Sequence, residues 1–385
     1  MSEVRSGIGD RPKRREDLRF LTGRGAYLDD LAFDGLTHAV VLRSPHAHAR
    51  IDGLDTSAAR AALGVLAVLT AADACADGLQ PLLPTAAANA QTGEPFAFAP
   101  QPVLAADKVR YAGEPVAVIV AETSTQALDA AELVVVDYAA LPAVTTTATA
   151  RAAGAPQIAD DVPDNLCFDW RTGDSQAVDN AFAAAAHVVR LRLDNHRVVT
   201  NPMEPRGVVG LWDAECSRYT AYVSAQSIHN TRDHAARALG VPPGAVRFVA
   251  PDVGGGFGAK NFVYPEHVLI PWAAKRVGRP VKWVATRGEV FLADHQARDH
   301  VADAALALDA HGRFLALRVD SIANAGAYLV SAGGVQTFQY VHLPGTVYRI
   351  PAVALRVAAV FTNTAPIGVT RGPGFLPRRS TSSNG

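Results

Sequence analysis

Cysteine is scarce in this chain: Cys75, Cys167 and Cys216 are the only three in 385 residues and lie far apart. They form no CxxC pair and no Cys/His group at metal spacing, which argues against a disulfide framework and a structural zinc site. An excess of either charge is also missing. Thirty-six Lys and Arg balance 37 Asp and Glu, a formal net charge of -1, so nothing global draws the chain to nucleic acid or an anionic membrane. No apolar run is long enough to span a bilayer, and Met1 to Arg15 lacks the apolar core of a secretory signal. A cytoplasmic protein is therefore expected. Apolar residues make up 49% of the chain and charged residues 19%, a globular balance, and the length calls for two or more domains.

Glycine, by contrast, is concentrated. In Pro251-Asp252-Val253-Gly254-Gly255-Gly256-Phe257-Gly258-Ala259-Lys260, four glycines fall within five positions. They permit positive φ and a very close backbone approach. A strand-like run at 246–250 precedes them and a helix-like run begins near Tyr264. Such a turn is where backbone N–H groups converge on a phosphate or another anion. Glycines alone fit equally well a tight connection that holds no ligand.

The rest of the chain alternates strand-like and helix-like runs. Residues 36–42 and 65–69 read as strands, 55–63 as a helix, and 78–100, rich in Pro and Ala, as a long loop. The fully apolar, β-branched run 116–121 predicts a buried strand. A helix at 125–132 and a strand at 133–138 follow, a layered α/β unit. From Thr145 to Asn165 the composition shifts to Thr, Ala, Pro and Asp, the best place for a linker. Beyond it, 175–185 and 230–239 read as helices, the latter ending at Gly240, and 187–193, 219–224 and 281–286 as strands. A helix at 264–276 is expected to kink at Pro271. Asp309-Ala310-His311-Gly312 predicts a hairpin turn. The small residues of 322–328 predict a bend rather than a regular strand. The tail 375–385 is basic and Ser-rich and is expected to be disordered.

Several side chains are candidates for chemistry. His46 and His48 would share one face of a strand and suit a metal, but Pro45 and the lack of a third ligand favour a surface or hydrogen-bonded pair. Glu204 and Arg206, in a turn with two prolines, are candidates for catalysis and, more simply, for structural ion pairing. Gln226 follows a strand, where α/β proteins place ligand-binding groups. His229 has no partner at ligand spacing. Gly254, Gly256 and Ala259 also fit the G-x-G-x-x-A dinucleotide fingerprint, the mark of an NAD(P)-binding oxidoreductase. That fingerprint wants an acid ~20 residues further on, where Lys275, Arg276 and Arg279 stand instead, and Phe257 is bulky for such a turn.

Six stretches together point elsewhere. Arg15-Glu16-Asp17 with Gly23 and Tyr27-Leu28-Asp29-Asp30, Arg43-Ser44-Pro45-His46-Ala47, Tyr111-Ala112-Gly113-Glu114-Pro115-Val116, Asn201-Pro202-Met203-Glu204-Pro205-Arg206, Gly254 to Lys260, and Thr362 to Gly374 occur in this order. The sequence resembles the molybdopterin-binding large subunit of the xanthine dehydrogenase, aldehyde oxidase and carbon monoxide dehydrogenase family. The resemblance implies a mixed α+β fold, with an a/b hammerhead domain at 1–145, a linker at 146–165 and a first, incomplete molybdopterin-binding domain at 166–374. Gly255, Gly256, Phe257 and Gly258 would press on the molybdopterin and its metal. Gln226 would hydrogen-bond a molybdenum oxygen or the pterin, and Arg371 would face substrate and steady developing negative charge. The implied cofactor is molybdopterin cytosine dinucleotide with molybdenum, and the implied partners carry iron-sulfur clusters and FAD.

The implied reaction is oxidative hydroxylation of an aldehyde or N-heterocycle, with water as the oxygen source. The loop at Arg371 has no cysteine, which argues against the carbon monoxide type. The family's general-base glutamate has no counterpart here, and its large subunits are much longer. The chain alone is therefore expected to have little or no activity, as the product of a split gene completed by a second polypeptide or as a frameshifted remnant. The alternative is a non-catalytic fragment that only docks to the iron-sulfur and flavin subunits.

Overall fold

The computed structural model describes residues 7–9, 11, 13–84, 87–88, 93–330 and 347–372. Pro373, Gly374 and the tail 375–385 lie outside the described residues. Among the described residues helices and strands mix throughout, in a sheet of seven strands, one of five and one of three.

In chain order the strands are β1 (Thr37–Arg43), β2 (Ala49–Asp55), β3 (Val65–Thr70), β4 (Lys108–Val109), β5 (Pro115–Ala121), β6 (Val135–Ala140), β7 (Leu166–Gly173) and β8 (His187–Asn195). They continue as β9 (Gly207–Asp213), β10 (Arg218–Val223), β11 (Val246–Val249), β12 (Val281–Val284), β13 (His300–Leu308), β14 (Phe314–Gly326) and β15 (Ala352–Phe361). The large sheet runs β11-β10-β9-β12-β1-β5-β3, the second β7-β15-β14-β13-β8, and the small one β4-β2-β6. β12 is parallel to β1, with Thr37 opposite Val281, and antiparallel to β9. The segments on either side of 146–165 therefore share one sheet.

The apolar run 116–121 is β5, and every residue of it is buried. Its alternate side chains feed two cores. Ala117, Ile119 and Ala121 pack with Ala127 and Ala130 of the helix Ser124–Glu132. Val118 and Val120 join a larger cluster with Leu269, Ile270 and Trp272 of the helix Glu266–Val277. That helix contains Pro271 and stops at Gly278, whose φ is +66°. A Cβ on Gly210 of β9 would sit 2.7 Å from the Ile270 carbonyl oxygen, so glycine lets the sheet approach the helix this closely.

Residues 146–165 have little regular structure but are packed. A short helix, Thr147–Ala150, is followed by buried Ile158, Ala159 and Val162, which join Val360 and Phe361 of β15 in one cluster. Buried Asn165 accepts from the Ile158 N–H and donates to the carbonyls of Ala150 and Pro156. The expected bend at 322–328 is instead strand as far as Gly326. Parallel pairing of Ile322 with Ala358 and of Asn324 with Val360 holds it extended, with an irregularity only between Asn324 and Gly326. The predicted hairpin turn joins β13 to β14, with Gly312 at φ +76°.

β10 and β11 are parallel neighbours, so their C-terminal ends open onto the same edge of the sheet. Ligand-binding loops in α/β folds gather at such ends. β10 leads to Gln226 and β11 to the glycine stretch.

Candidate functional site

The glycine stretch is a free-standing turn and not the start of a helix. Between it and the helix at Glu266 lies a single 3-10 turn, Ala259–Asn261. The helix therefore begins beyond the turn and does not open at the glycines, as the dinucleotide fingerprint requires. The conformation is demanding all the same. Gly255 and Gly258 have φ of +99° and +103°, and Phe257, at φ +50°, is one of the few non-glycine residues in the left-handed region.

Each glycine is required by a different neighbour. A Cβ on Gly254 would lie 2.5 Å from Cβ of Glu204, and one on Gly256 2.4 Å from Oε1 of Gln226. On Gly258 it would meet the Val369 carbonyl at 2.6 Å, and on Gly255 the Phe257 ring at 2.9 Å. The turn is thus the meeting point of the 201–206 turn, the end of β10 and the 362–372 loop. Three consecutive N–H groups, of Gly255, Gly256 and Phe257, have no acceptor among the described residues. The Phe257 side chain beside them is half-exposed.

Glu204 holds the turn from behind. Its Oε2 accepts from Ser224 Oγ at 2.6 Å, Gly254 N at 2.8 Å and Lys260 Nζ at 2.9 Å, and its Oε1 from Leu28 N at 3.3 Å. Burial pushes the Glu204 carboxyl up, but the Ser224 hydroxyl, the Lys260 charge and the Gly254 N–H together hold it below the usual carboxylate range. Asp252, at the start of the turn, accepts both terminal nitrogens of Arg19 and the Ala26 N–H. The N-terminal segment is thereby tied across the back of the site.

Deeper lies a buried ionic cluster. Arg206 donates to Glu266 at 2.8 Å and to Asp294 at 2.7 Å, and Arg43 donates to Glu266 at 2.6 Å and to Glu289 at 2.9 Å. Burial drives the Glu266 carboxyl up, yet Arg206 and Arg43 hold it far below the usual range. The Arg206 guanidinium stacks on the Tyr264 ring at 3.7 Å, a cation–π contact in a dry setting. The Tyr264 hydroxyl donates to the Ala259 carbonyl at 2.9 Å, linking the cluster to the turn. His267 and His295 flank Tyr264. Burial, aided by the Arg206 charge, pushes both rings down to about 3, so they are neutral.

The other sequence candidates converge on the same turn. Gln226 lies three residues past β10; its Oε1 accepts from Gly258 N at 2.8 Å and its backbone N–H donates to the Lys260 carbonyl at 2.8 Å. The Arg371 N–H donates to the Phe257 carbonyl at 2.8 Å. Its exposed guanidinium makes no bond with the described residues.

Glu204 and Arg206 are both ion-paired, though not with each other: Glu204 pairs with Lys260, Arg206 with Glu266 and Asp294. His46 and His48 part company. His46 packs on Tyr138 with ring centroids 4.8 Å apart, and Nδ1 of His48 bonds the Pro142 carbonyl at 2.7 Å. Two residues escaped the sequence reading. Arg287 donates to Asn201 and to the carbonyls of Pro202 and Met203, fixing the 201–203 turn. Arg298 donates to the carbonyls of Arg371 and Gly372 at 3.0 and 2.6 Å, fixing the Arg371 loop.

Comparison with known families decides what this constellation belongs to. Residues 158–379 match the molybdopterin cofactor-binding domain, and residues 22–142 the aldehyde oxidase and xanthine dehydrogenase a/b hammerhead domain. The chain belongs to the molybdenum hydroxylase large-subunit family. It is 37% identical over 97% of its length to the nicotine 6-hydroxylase large subunit of Paenarthrobacter nicotinovorans, of which it covers 45%. It superimposes on the crystal structure of quinoline 2-oxidoreductase from Pseudomonas putida 86 with a TM-score of 0.87 at 36% identity, over 94% of this chain and 45% of that one. It is 28% identical to the nicotinate dehydrogenase large molybdopterin subunit of Eubacterium barkeri, over 98% of this chain and 84% of that subunit. The chain spans about half the length of most of the molybdenum hydroxylase relatives it matches.

The residues present fit a molybdopterin on their own chemistry. Three adjacent unpaired N–H groups suit an oxygen-rich, anionic cofactor, and the close approach would be lost if Gly256 carried a Cβ. Among the described residues no group of three or more His, Cys, Asp or Glu side chains is placed to hold a metal ion directly.

Proposed function

We propose that these 385 residues supply the hammerhead domain, at 1–145, and the first cofactor-binding domain, at 166–374, of an enzyme that hydroxylates an N-heteroaromatic ring or an aldehyde, with water as the oxygen source. The observation that carries this reading is the convergence of Gln226, Arg371 and the Gly255-Gly256-Phe257-Gly258 turn on one patch of backbone donors. The N-heteroaromatic preference rests on two relatives of 36–37% identity, one named for nicotine and one for quinoline.

When bound, molybdopterin supplies the redox-active metal. The chain's own part is to bind and orient. The N–H groups of Gly255, Gly256 and Phe257 donate to cofactor oxygens, and Gly258 sets the Gln226 amide so that its Nε2, which has no partner among the described residues, points a further donor at the cofactor. Arg371, held by its main chain to Phe257, offers a fixed cation to negative charge that develops on substrate. The half-exposed Phe257 ring shields the donors from water. The cofactor is proposed to be the cytosine dinucleotide form, with electrons passed to an iron-sulfur small subunit and an FAD-binding medium subunit. The portion of its relatives that this chain does not span is proposed to complete the site, the general base included.

The test is co-expression of the chain with those subunits and with a polypeptide carrying the remaining portion. Molybdenum, pterin and hydroxylation of quinoline or nicotine are then measured for the assembly and for the chain alone. Metal and turnover in the assembly only are expected. Turnover by the chain alone overturns the shared-site reading, and an assembly that forms without pterin overturns the cofactor role.

A further inference from the structure

We propose that Glu204 is a positioning residue that sets the shape of the glycine turn and the place of Gln226 beside it. The inference rests on the reading of that turn as the cofactor face and adds to it the group that builds the face.

Three segments distant from one another in sequence meet at this one carboxylate. Oε2 takes the N–H of Gly254, where the turn begins, and the ammonium of Lys260, just beyond its end, at 2.8 and 2.9 Å. One oxygen therefore closes both ends of the turn, and the three N–H groups between them have no acceptor among the described residues. The same oxygen accepts from Ser224 Oγ at 2.6 Å, two residues before Gln226, while Oε1 receives the Leu28 N–H of the N-terminal segment. Lys260 also donates to Ser224 Oγ at 2.6 Å, which closes a triangle of Glu204, Ser224 and Lys260. Lys260 is almost fully buried, and Glu204 is the one carboxylate at ion-pair distance from it among the described residues. A lone buried ammonium is strongly disfavoured.

The same geometry favours positioning over proton transfer. Three of the four donors, Ser224, Gly254 and Lys260, crowd onto Oε2, while Oε1 takes only the Leu28 N–H at 3.3 Å. An oxygen held by three donors, one of them an ammonium, is a poor base. Gly254 leaves no room for rearrangement, since even a Cβ there would lie 2.5 Å from Cβ of Glu204. Of the two roles open to Glu204 in the sequence, positioning is the one these bonds support.

Hydrogen exchange of the full 385-residue chain, read by mass spectrometry, tests this without cofactor. Glu204→Gln is expected to speed exchange at least tenfold in peptides covering 252–260 and 224–228. Exchange in β13 and β14 should stay within twofold, whereas a generally structural residue would loosen both regions. Ser224→Ala, a milder change, should loosen the same peptides several-fold, so the test survives if Glu204→Gln does not fold. The double variant Glu204→Gln/Lys260→Met, which removes the stranded charge, should regain melting temperature but not the slow exchange of the turn. Unchanged exchange at 252–260 in both Glu204→Gln and Ser224→Ala overturns the inference. In the complete assembly, local loosening with undiminished pterin content would leave Glu204 as the builder of the turn and refute the turn as the cofactor face. The two failures are thus distinguishable.

Discussion

The carbonyl of Phe257 and the backbone N–H of Arg371 are joined by a 2.8 Å hydrogen bond, which fixes the far loop of the described chain to the glycine turn through main chain alone. The Arg371 side chain is left exposed, with no partner among the described residues. Arg371→Ala should therefore change stability by no more than about 0.5 kcal/mol. In the complete assembly it should cost roughly 100-fold in kcat/KM, the scale of one lost charge-stabilising donor. Lysine should restore only part of that loss, because its ammonium lacks the planar fork. Denaturant melts and steady-state kinetics of the three proteins check both halves of the expectation.

Two glycines of the same turn should answer differently to alanine. At Gly256 the obstacle is the end of the flexible Gln226 side chain, so Gly256→Ala should fold with a small loss of stability and displace Gln226. Pterin content in the assembly should fall. At Gly258 the φ is +103° and the obstacle is the Val369 main-chain carbonyl, so Gly258→Ala should cost about 1–3 kcal/mol in the chain itself. Paired urea melts and pterin assays separate the two cases.

The buried cluster beneath the site predicts a large effect from a single change. Arg206→Met removes the cation shared by Glu266 and Asp294; Glu266 keeps Arg43, but buried Asp294 is left without an ion-pair partner among the described residues. Loss of one partner of such a pair costs about 3–5 kcal/mol, read as a drop in the urea midpoint. Because Tyr264 carries the cluster to the Ala259 carbonyl, exchange of the 257–261 amides should rise as well.

A second buried carboxyl predicts a pH dependence. Glu114 accepts from the Arg110 N–H and the Tyr328 hydroxyl, both at 2.5 Å. Burial raises it to about 7, against those two bonds and the Arg110 charge. With its folded pKa above the unfolded value, the folded protein binds the proton more tightly. This contribution, roughly 3 kcal/mol, is fully present below about pH 4.5 and lost as pH rises through 7. Glu114→Gln, neutral at every pH, should flatten that part of the stability profile between pH 5 and 8. Urea midpoints of both proteins across that range test it.

Much of the site was legible because backbone chemistry writes itself into sequence. Four close glycines, the prolines around Glu204 and the apolar run of β5 announce a tight turn, a non-helical turn and a central strand. The ordered motifs then fixed the family. What stayed hidden is long-range. No local pattern marks the insertion of β12 between β9 and β1, which welds the two halves into one sheet. Neither does any mark the pairing of Glu204 with Lys260 or the hold of Arg287 and Arg298 on their loops. The one faint signal was Glu266, an acid that opens a helix whose next turns, Val268 to Ala274, are apolar. At 322–328 composition favoured a bend, but pairing with β15 keeps the stretch in strand as far as Gly326, and the chain bends only from there, at Ala327 and Tyr328.

The central claim is that the unpaired N–H groups of Gly255, Gly256 and Phe257 contact the cofactor. Residue-resolved amide exchange, comparing the cofactor-loaded assembly with the same assembly prepared without cofactor, tests it most directly. These three amides should exchange at least about tenfold more slowly when cofactor is bound, with no comparable change in β13 or β14. Equal rates in the two assemblies would contradict the account.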